Sequence, residues 1–304
     1  MKKIVLLIYF TCLISIGSFS QATIIDNHFY ITKKFKIKLS EGNWFEVRNE
    51  IGSLGYGFKQ RIKGIVRLEN NEIMEMIEVY QGQLEGFYAS VVDDAIYEMT
   101  FKDKHQGCYE RPEYFILEFY KKGRAHNCLM IGHWDIHKDL TNPEDPFGKA
   151  NAAAYNYWIK SNSIVYPNIV LESQHSYFSR RASSNWYVMI YAINPKALGG
   201  PISNFRTEET SEYNKNNIDN FPDHKLVMEK WVSISAKRHL EFEKFTRAKK
   251  NHLLNLDSYI NENISTDSSN ITNLSEQLKK LNELYKSGVL TEEEFKKAKS
   301  KILN

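Results

Sequence analysis

RIKGIVRLENNEIMEMIEVY, residues 61–80, is the stretch on which the fold turns. Arg61–Glu69 and Glu72–Tyr80 are two runs in which apolar residues recur between polar ones, and Asn70-Asn71 separates them. Asparagine tolerates positive φ better than most residues, so this pair between such runs predicts a tight hairpin. Outward from it the same signal repeats. In TKKFKIKL, residues 32–39, Phe35, Ile37 and Leu39 alternate with Lys34, Lys36 and Lys38, the period of a half-buried strand. Tyr114 to Tyr120 and Leu129 to Ile136 continue the meander, and Ile169 to Tyr177 pairs with Trp186 to Ile193 across SRRASSN. Strands joined by hairpins predict an antiparallel sheet rather than a doubly wound one.

Helices interrupt the strands. PFGKANAAAYNYWIKSN, residues 146–162, has the alanines of a helix and an aromatic cluster at Tyr155, Tyr157 and Trp158 to pack on the sheet. A longer helix is predicted from Pro222-Asp223, where proline and an acid suit the first turn. Its apolar stripe runs Val227, Trp231, Ile234, Phe242 and Phe245, with Arg238 as an interruption; Lys237-Arg238 reads as solvated surface charge. The first half is expected to pack on the sheet and the second half to leave the domain. The fold class is α+β, an antiparallel sheet with helices packed on one face, followed by a C-terminal two-helix hairpin.

Composition bounds the rest. With 304 residues, 42% hydrophobic and 25% charged, the chain has material for one or two folded domains. Lys2 and Lys3, an apolar run from Ile4 to Ile16, and small residues at Ser20-Gln21-Ala22 make the three-part pattern of a secretory signal peptide cut after Ala22. The alternative is a retained anchor, but the run is shorter than the ~20 apolar residues a span needs. Phe10-Thr11 before Cys12 lacks the small residues of a lipidation site. The expected location is therefore periplasmic or extracellular, with no transmembrane span in the mature chain. Cleavage removes two lysines and no acid, taking the formal charge from +3 to +1. That near-neutral balance gives no field for nucleic acid.

Cys108 and Cys128 remain after cleavage. An even pair in an oxidising compartment, at the ends of a predicted hairpin, is expected to form one disulfide; two free buried thiols are the alternative. The wide spacing, without a nearby paired histidine, argues against a closed zinc site.

After Ile260 the text becomes NENISTDSSNITN, a polar linker. Asn273 with Glu276 can start a helix as a capping box, and Leu274, Leu278, Leu281 and Tyr285 recur at helical spacing. Gly288 suits a helix stop, Thr291 with Glu294 caps a second helix, and Phe295, Ala298 and Ile302 line it. The stretch LSEQLKKLNELYKSGVLTEEEFKKAKSKIL resembles the SHOCT family of short C-terminal domains, over about a tenth of the chain. The resemblance implies an appended module for oligomerisation or partner contact, and no catalytic residues. Some thirty residues are too few for a lone stable core, so the hairpin needs a surface. That surface belongs either to a partner, with Leu274, Leu278, Leu281, Phe295 and Ile302 as the association surface, or to its own domain. On the first reading, truncation after Ile260 changes the melting temperature little.

The most suggestive chemistry lies in GHWDIH, residues 132–137, where His133, Asp135 and His137 share one face if the strand continues. Two imidazoles and a carboxylate suit a divalent metal, but polar alternation on a strand gives the same pattern without function. GSLGYGFKQ, residues 52–60, lacks the strand-to-helix context of a phosphate loop.

The domains expected are a leader at 1–22, an α+β domain at 23–260, a linker at 261–272 and a SHOCT-like hairpin at 273–304. The function expected is that of an exported, non-enzymatic binding or assembly protein without a cofactor, associating with itself or a protein partner. The alternative is a metal-dependent hydrolase using His133, Asp135 and His137.

Overall fold

The computed structural model describes residues 22–24, 27–31, 35–55, 58–84, 108–109, 111–122, 125–137, 146–179, 185–205, 207–247, 252–256 and 268–303. The leader read over residues 1–22 lies outside them apart from Ala22. Eleven strands are described: β1 Ala22–Ile24, β2 His28–Tyr30, β3 Phe35–Lys38, β4 Asn43–Gly55, β5 Phe58–Glu69, β6 Glu72–Leu84, β7 Tyr114–Lys122, β8 Ala125–Asp135, β9 Ile169–Ser179, β10 Asn185–Ile193 and β11 His252–Asn255. The described helices are α1 Pro146–Asn162, α2 Pro222–Arg247, α3 Ser268–Lys286 and α4 Glu292–Leu303.

Eight strands form one sheet in the order β1-β4-β5-β6-β10-β9-β8-β7. Every pairing in it is antiparallel. It consists of two meanders, β4 to β6 and β7 to β10, joined where β10 returns beside β6, with β1 added at the edge beside β4. Asn70 and Asn71 turn β5 into β6 at φ 49° and 64°. Two left-handed residues match the twist of the flanking strands, which is why this pair closes a two-residue hairpin. A small sheet of β11, β3 and β2 lies apart, with β11 parallel to β3.

Helices were expected on one face only, and here the structure differs. Tyr155, Trp158 and Ile159 of α1 cover Val66, Ile73, Met76 and Val170 on one face. On the other, α2, the small sheet and the C-terminal hairpin share a core with Ile77, Val79, Leu129, Ile131 and Tyr191. A strand buried on both faces loses its alternation, so the apolar runs of β8 and β10 carried this information.

The second half of α2 does not leave the domain. Phe242 and Phe245 are buried, and the Phe245 ring stacks on Phe35 at 3.7 Å. Arg238 continues the stripe at helical spacing and is fully buried, correcting its reading as surface charge. Its guanidinium lies 4.0 Å from the Tyr191 ring centroid and donates to Tyr191 Oη and to the Leu256 carbonyl, each at 3.3 Å. A planar, weakly hydrated cation can do this where an ammonium would not. Of the stretch read against a phosphate loop, Gly52–Gly55 end β4 and Phe58–Gln60 begin β5. Helix α3 begins at Ser268, inside the expected linker, because Ile271 extends the Leu274–Leu278 spacing one turn back. No helix among the described residues is long and apolar enough to cross a membrane.

Candidate functional site

The turn of the C-terminal hairpin is built as its sequence asks, but its first helix starts at Ser268, so Asn273 lies inside that helix and does not cap it. Helix α3 ends with Gly288 at φ 76°, Gly288 N–H donating to the Tyr285 carbonyl and Val289 N–H to that of Leu284, both at 3.0 Å. This is the paired closure that a left-handed residue after a helix permits. Thr291 N–H and Oγ1–H donate to Glu294 Oε2 at 2.9 and 2.7 Å, and Glu294 N–H returns to Thr291 Oγ1 at 3.3 Å. These bonds, the backbone one foremost, hold the exposed Glu294 carboxyl below the usual glutamate range. Tyr285 and Phe295 stack at 4.6 Å across the two helices.

The hairpin docks on its own body. Leu278, Leu281 and Phe295 are buried, and with Leu117, Leu129 and Ala236 they line a small crevice between tail and body. Ile302 is half-buried against the same core, and the Leu274 side chain lies outside the described residues. Of the stripe read as an association surface, Leu278, Leu281, Phe295 and Ile302 are packed within the chain. Polar contacts fix its register. Asn282 Nδ2 donates to the Ile116 carbonyl at 3.2 Å, at the β7 bulge between Ile116 and Glu118. Lys299 Nζ reaches Glu243 Oε2 of α2 at 3.0 Å, and Asn127 Nδ2 of β8 donates to Glu243 Oε1 at 2.6 Å. Lys279 Nζ sits 4.5 Å from the Phe115 ring. Burial, followed by the charge of Lys215, pulls the Lys279 ammonium below its usual range.

His133, Asp135 and His137 are not gathered into one site. His133 is wholly buried, and its Nε2–H donates to the Glu208 carbonyl at 2.9 Å. Burial, the largest influence, lowers its pKa against the opposing pull of Glu208, Glu113 and Asp135. Asp135 is buried too, with its backbone N–H 3.4 Å from Glu208 Oε1. His137 stands past the end of β8 in a helical turn, where Tyr166 lies 3.4 Å from its Nδ1. The shared face required the strand to run two residues further than it does.

The expected Cys108–Cys128 disulfide is present, but two contacts were not read from the sequence, a histidine pair in the core and a histidine beside that disulfide. His175 of β9 and His239 of α2 meet with Nδ1 atoms 3.1 Å apart in the core, beside Phe242. Cys108 and Cys128 are disulfide-bonded, their Cα atoms 6.3 Å apart, and His126 Nε2 lies 3.2 Å from Cys108 Sγ. Among the described residues, Cys108, His126 and Cys128 are the group whose donor atoms come together as a metal's ligands would, all within 4.8 Å. The missing signal was His126 itself, two residues before Cys128 and so on the same face of β8.

No curated protein and no solved structure matches the chain. Residues 276–303 match the Short C-terminal domain family, SHOCT, which covers α3 from Glu276 onward and α4.

Proposed function

We propose that this is an exported, non-enzymatic binding or assembly protein, processed after Ala22, whose SHOCT hairpin carries association. The observation that supports the reading is how the hairpin is attached. Its apolar face meets the body through a few side chains, and eleven residues, 257–267, separate Leu256 from α3. Twelve steps of chain reach about 40 Å at full extension, enough to carry the same face to a neighbouring molecule. A docked hairpin on such a connection can exchange its own body for that of a second copy at little cost.

The cis contact is the competitor. A connection of this length sets an effective concentration in roughly the millimolar range, so self-association emerges only as the chain approaches it. Light scattering of Thr23–Asn304 at rising concentration should show added mass toward that range, and Phe295→Asp should abolish it. A chain that stays monomeric up to millimolar concentration ends the self-association reading. Mass spectrometry of the protein recovered from outside the cytoplasm should find Thr23 as its first residue. The hydrolase alternative has no comparable support, because His137 stands off the strand that holds His133 and Asp135.

A further inference from the structure

We propose that reduction of the Cys108–Cys128 disulfide opens a site for one Zn2+ ion, held by the two thiolates and His126 Nε2. This end of β8 is then a disulfide or a zinc centre according to redox state, apart from any role of the hairpin.

The donors are placed for it. His126 and Cys128 sit two apart on β8 and share a face. At both positions the strand is paired on each flank, His126 with Lys121 and Phe178, Cys128 with Phe119 and Ser176. The backbone that carries two of the three donors is therefore fixed before any metal arrives, and Cys108 lies against them just before β7. In a tetrahedral zinc site with ordinary bond lengths, sulfur and nitrogen ligands lie about 3.6 Å apart and two sulfurs about 3.8 Å. Cys108 Sγ and His126 Nε2 are already 3.2 Å apart. The two sulfurs must separate, and all three donors, now within 4.8 Å of one another, must settle to these spacings; rotation of the two cysteine side chains can do both without unpairing β8.

Charge and softness select the ion. Two thiolates and a neutral imidazole exactly offset none but a divalent cation, and thiolates prefer Zn2+ to Mg2+ or Ca2+. Neutrality matters because Cys108, His126 and Cys128 are all buried, with Ile116 and Met130 packed against the sulfurs. The fourth position of the tetrahedron falls to water.

The redox step balances with a dithiol as reductant. Its two S–H groups become its own disulfide, the Cys108–Cys128 bond breaks, and both cysteines become thiols. Binding of Zn2+ then releases those two protons to solvent as two Zn–S bonds and one Zn–N bond form.

The test uses Thr23–Asn304, reduced with a phosphine, desalted without oxygen and titrated with Zn2+ by calorimetry in buffers of different ionisation enthalpy. The expected result is one Zn2+ per reduced chain with two protons released, and none bound by the oxidised chain. Cobalt in place of zinc should give a thiolate-to-metal charge-transfer band in the reduced protein alone. His126→Ala, which leaves the disulfide intact in the oxidised form, should weaken binding more than about 100-fold, since losing even an outer-shell partner costs about 10- to 100-fold. If the reduced chain unfolds without metal, zinc added before the reductant should hold its near-ultraviolet circular dichroism. The proposal is overturned if the folded reduced chain takes up no zinc, if the oxidised chain binds it equally, if His126→Ala binds as tightly as the parent, or if zinc fails to preserve the fold on reduction.

Discussion

Glu243→Ala tests how the hairpin is held. The Glu243 carboxylate faces Lys299 of α4 at 3.0 Å and Asn127 of β8 at 2.6 Å, so it ties α2 to both hairpin and sheet. The Lys299 side chain is 6% exposed and that of Glu243 13%. Removing one partner of a buried pair costs about 3–5 kcal/mol, and the low end applies because Glu243 keeps some contact with water. The chain has a cheaper response than global unfolding. The hairpin can undock and return Lys299 to solvent, so the loss appears first as hairpin opening. About 3 kcal/mol corresponds to roughly a hundredfold change in an opening equilibrium. Hydrogen exchange should show amide protection in α3 and α4 falling by that factor while β9 and β10 keep theirs. Glu243→Leu combined with Lys299→Met should recover most of the protection, because an apolar pair of similar volume replaces a buried ion pair without loss. Equal loss across hairpin and sheet would refute the view of the hairpin as a separately opening unit. Unchanged protection would show that the ion pair contributes nothing to docking.

Truncation after Ile260 exposes Leu117, Leu129 and Ala236, so the melting temperature should fall by more than about 5 °C, where a free tail would leave it unchanged. Thiol titration of the denatured, unreduced chain Thr23–Asn304 should find no free thiol, and cutting a bridge of sequence separation 20 should cost about 3 kcal/mol in denaturant unfolding. Burial first, then His239, Arg238 and Lys299, hold His175 well below the usual 6.5, so the unfolded chain takes up its proton first. Stability should therefore be full above pH 6.5 and fall below it by up to about 1.4 kcal/mol per pH unit for that proton. His175→Gln should flatten this part of the curve of melting temperature against pH. Gly82 stands opposite Trp186 in the β6–β10 pairing, and a Cβ there would run into the indole. Gly82→Val should displace the ring and destabilise the sheet by about 2 kcal/mol or more in chemical denaturation.

Local order was legible in the sequence at several single-periodicity or single-cap positions, though not at Asn273, which was read as a cap and lies inside α3. Asn70-Asn71, the Phe35–Ile37–Leu39 alternation, Gly288 and the Thr291–Glu294 box each specify a conformation from within a few residues, and each adopts it. What is built between distant segments was not legible in the same way. Arg238 reads as a break in an apolar stripe until Tyr191, 47 positions away, supplies the aromatic face that makes its burial tolerable. His175 and His239 are separated by 64 positions, and neither neighbourhood announces a partner.

The hairpin shows where that boundary lies. Leu278, Leu281 and Phe295 state that an apolar surface is needed, and any apolar surface meets the statement equally well. The address comes from polar groups, because a buried ammonium or amide tolerates far fewer partners than a methyl group does. Lys299 finds Glu243, 56 positions back, and Asn282 finds the Ile116 carbonyl, 166 positions back, where the β7–β8 register shifts. Both polar side chains point along the same face as the leucines, so they read in sequence as interruptions of the stripe, as Arg238 did. A second copy of the chain offers the same carboxylate and the same carbonyl. For that reason the groups that fix the hairpin on its own body are also those through which exchange between copies would keep its specificity.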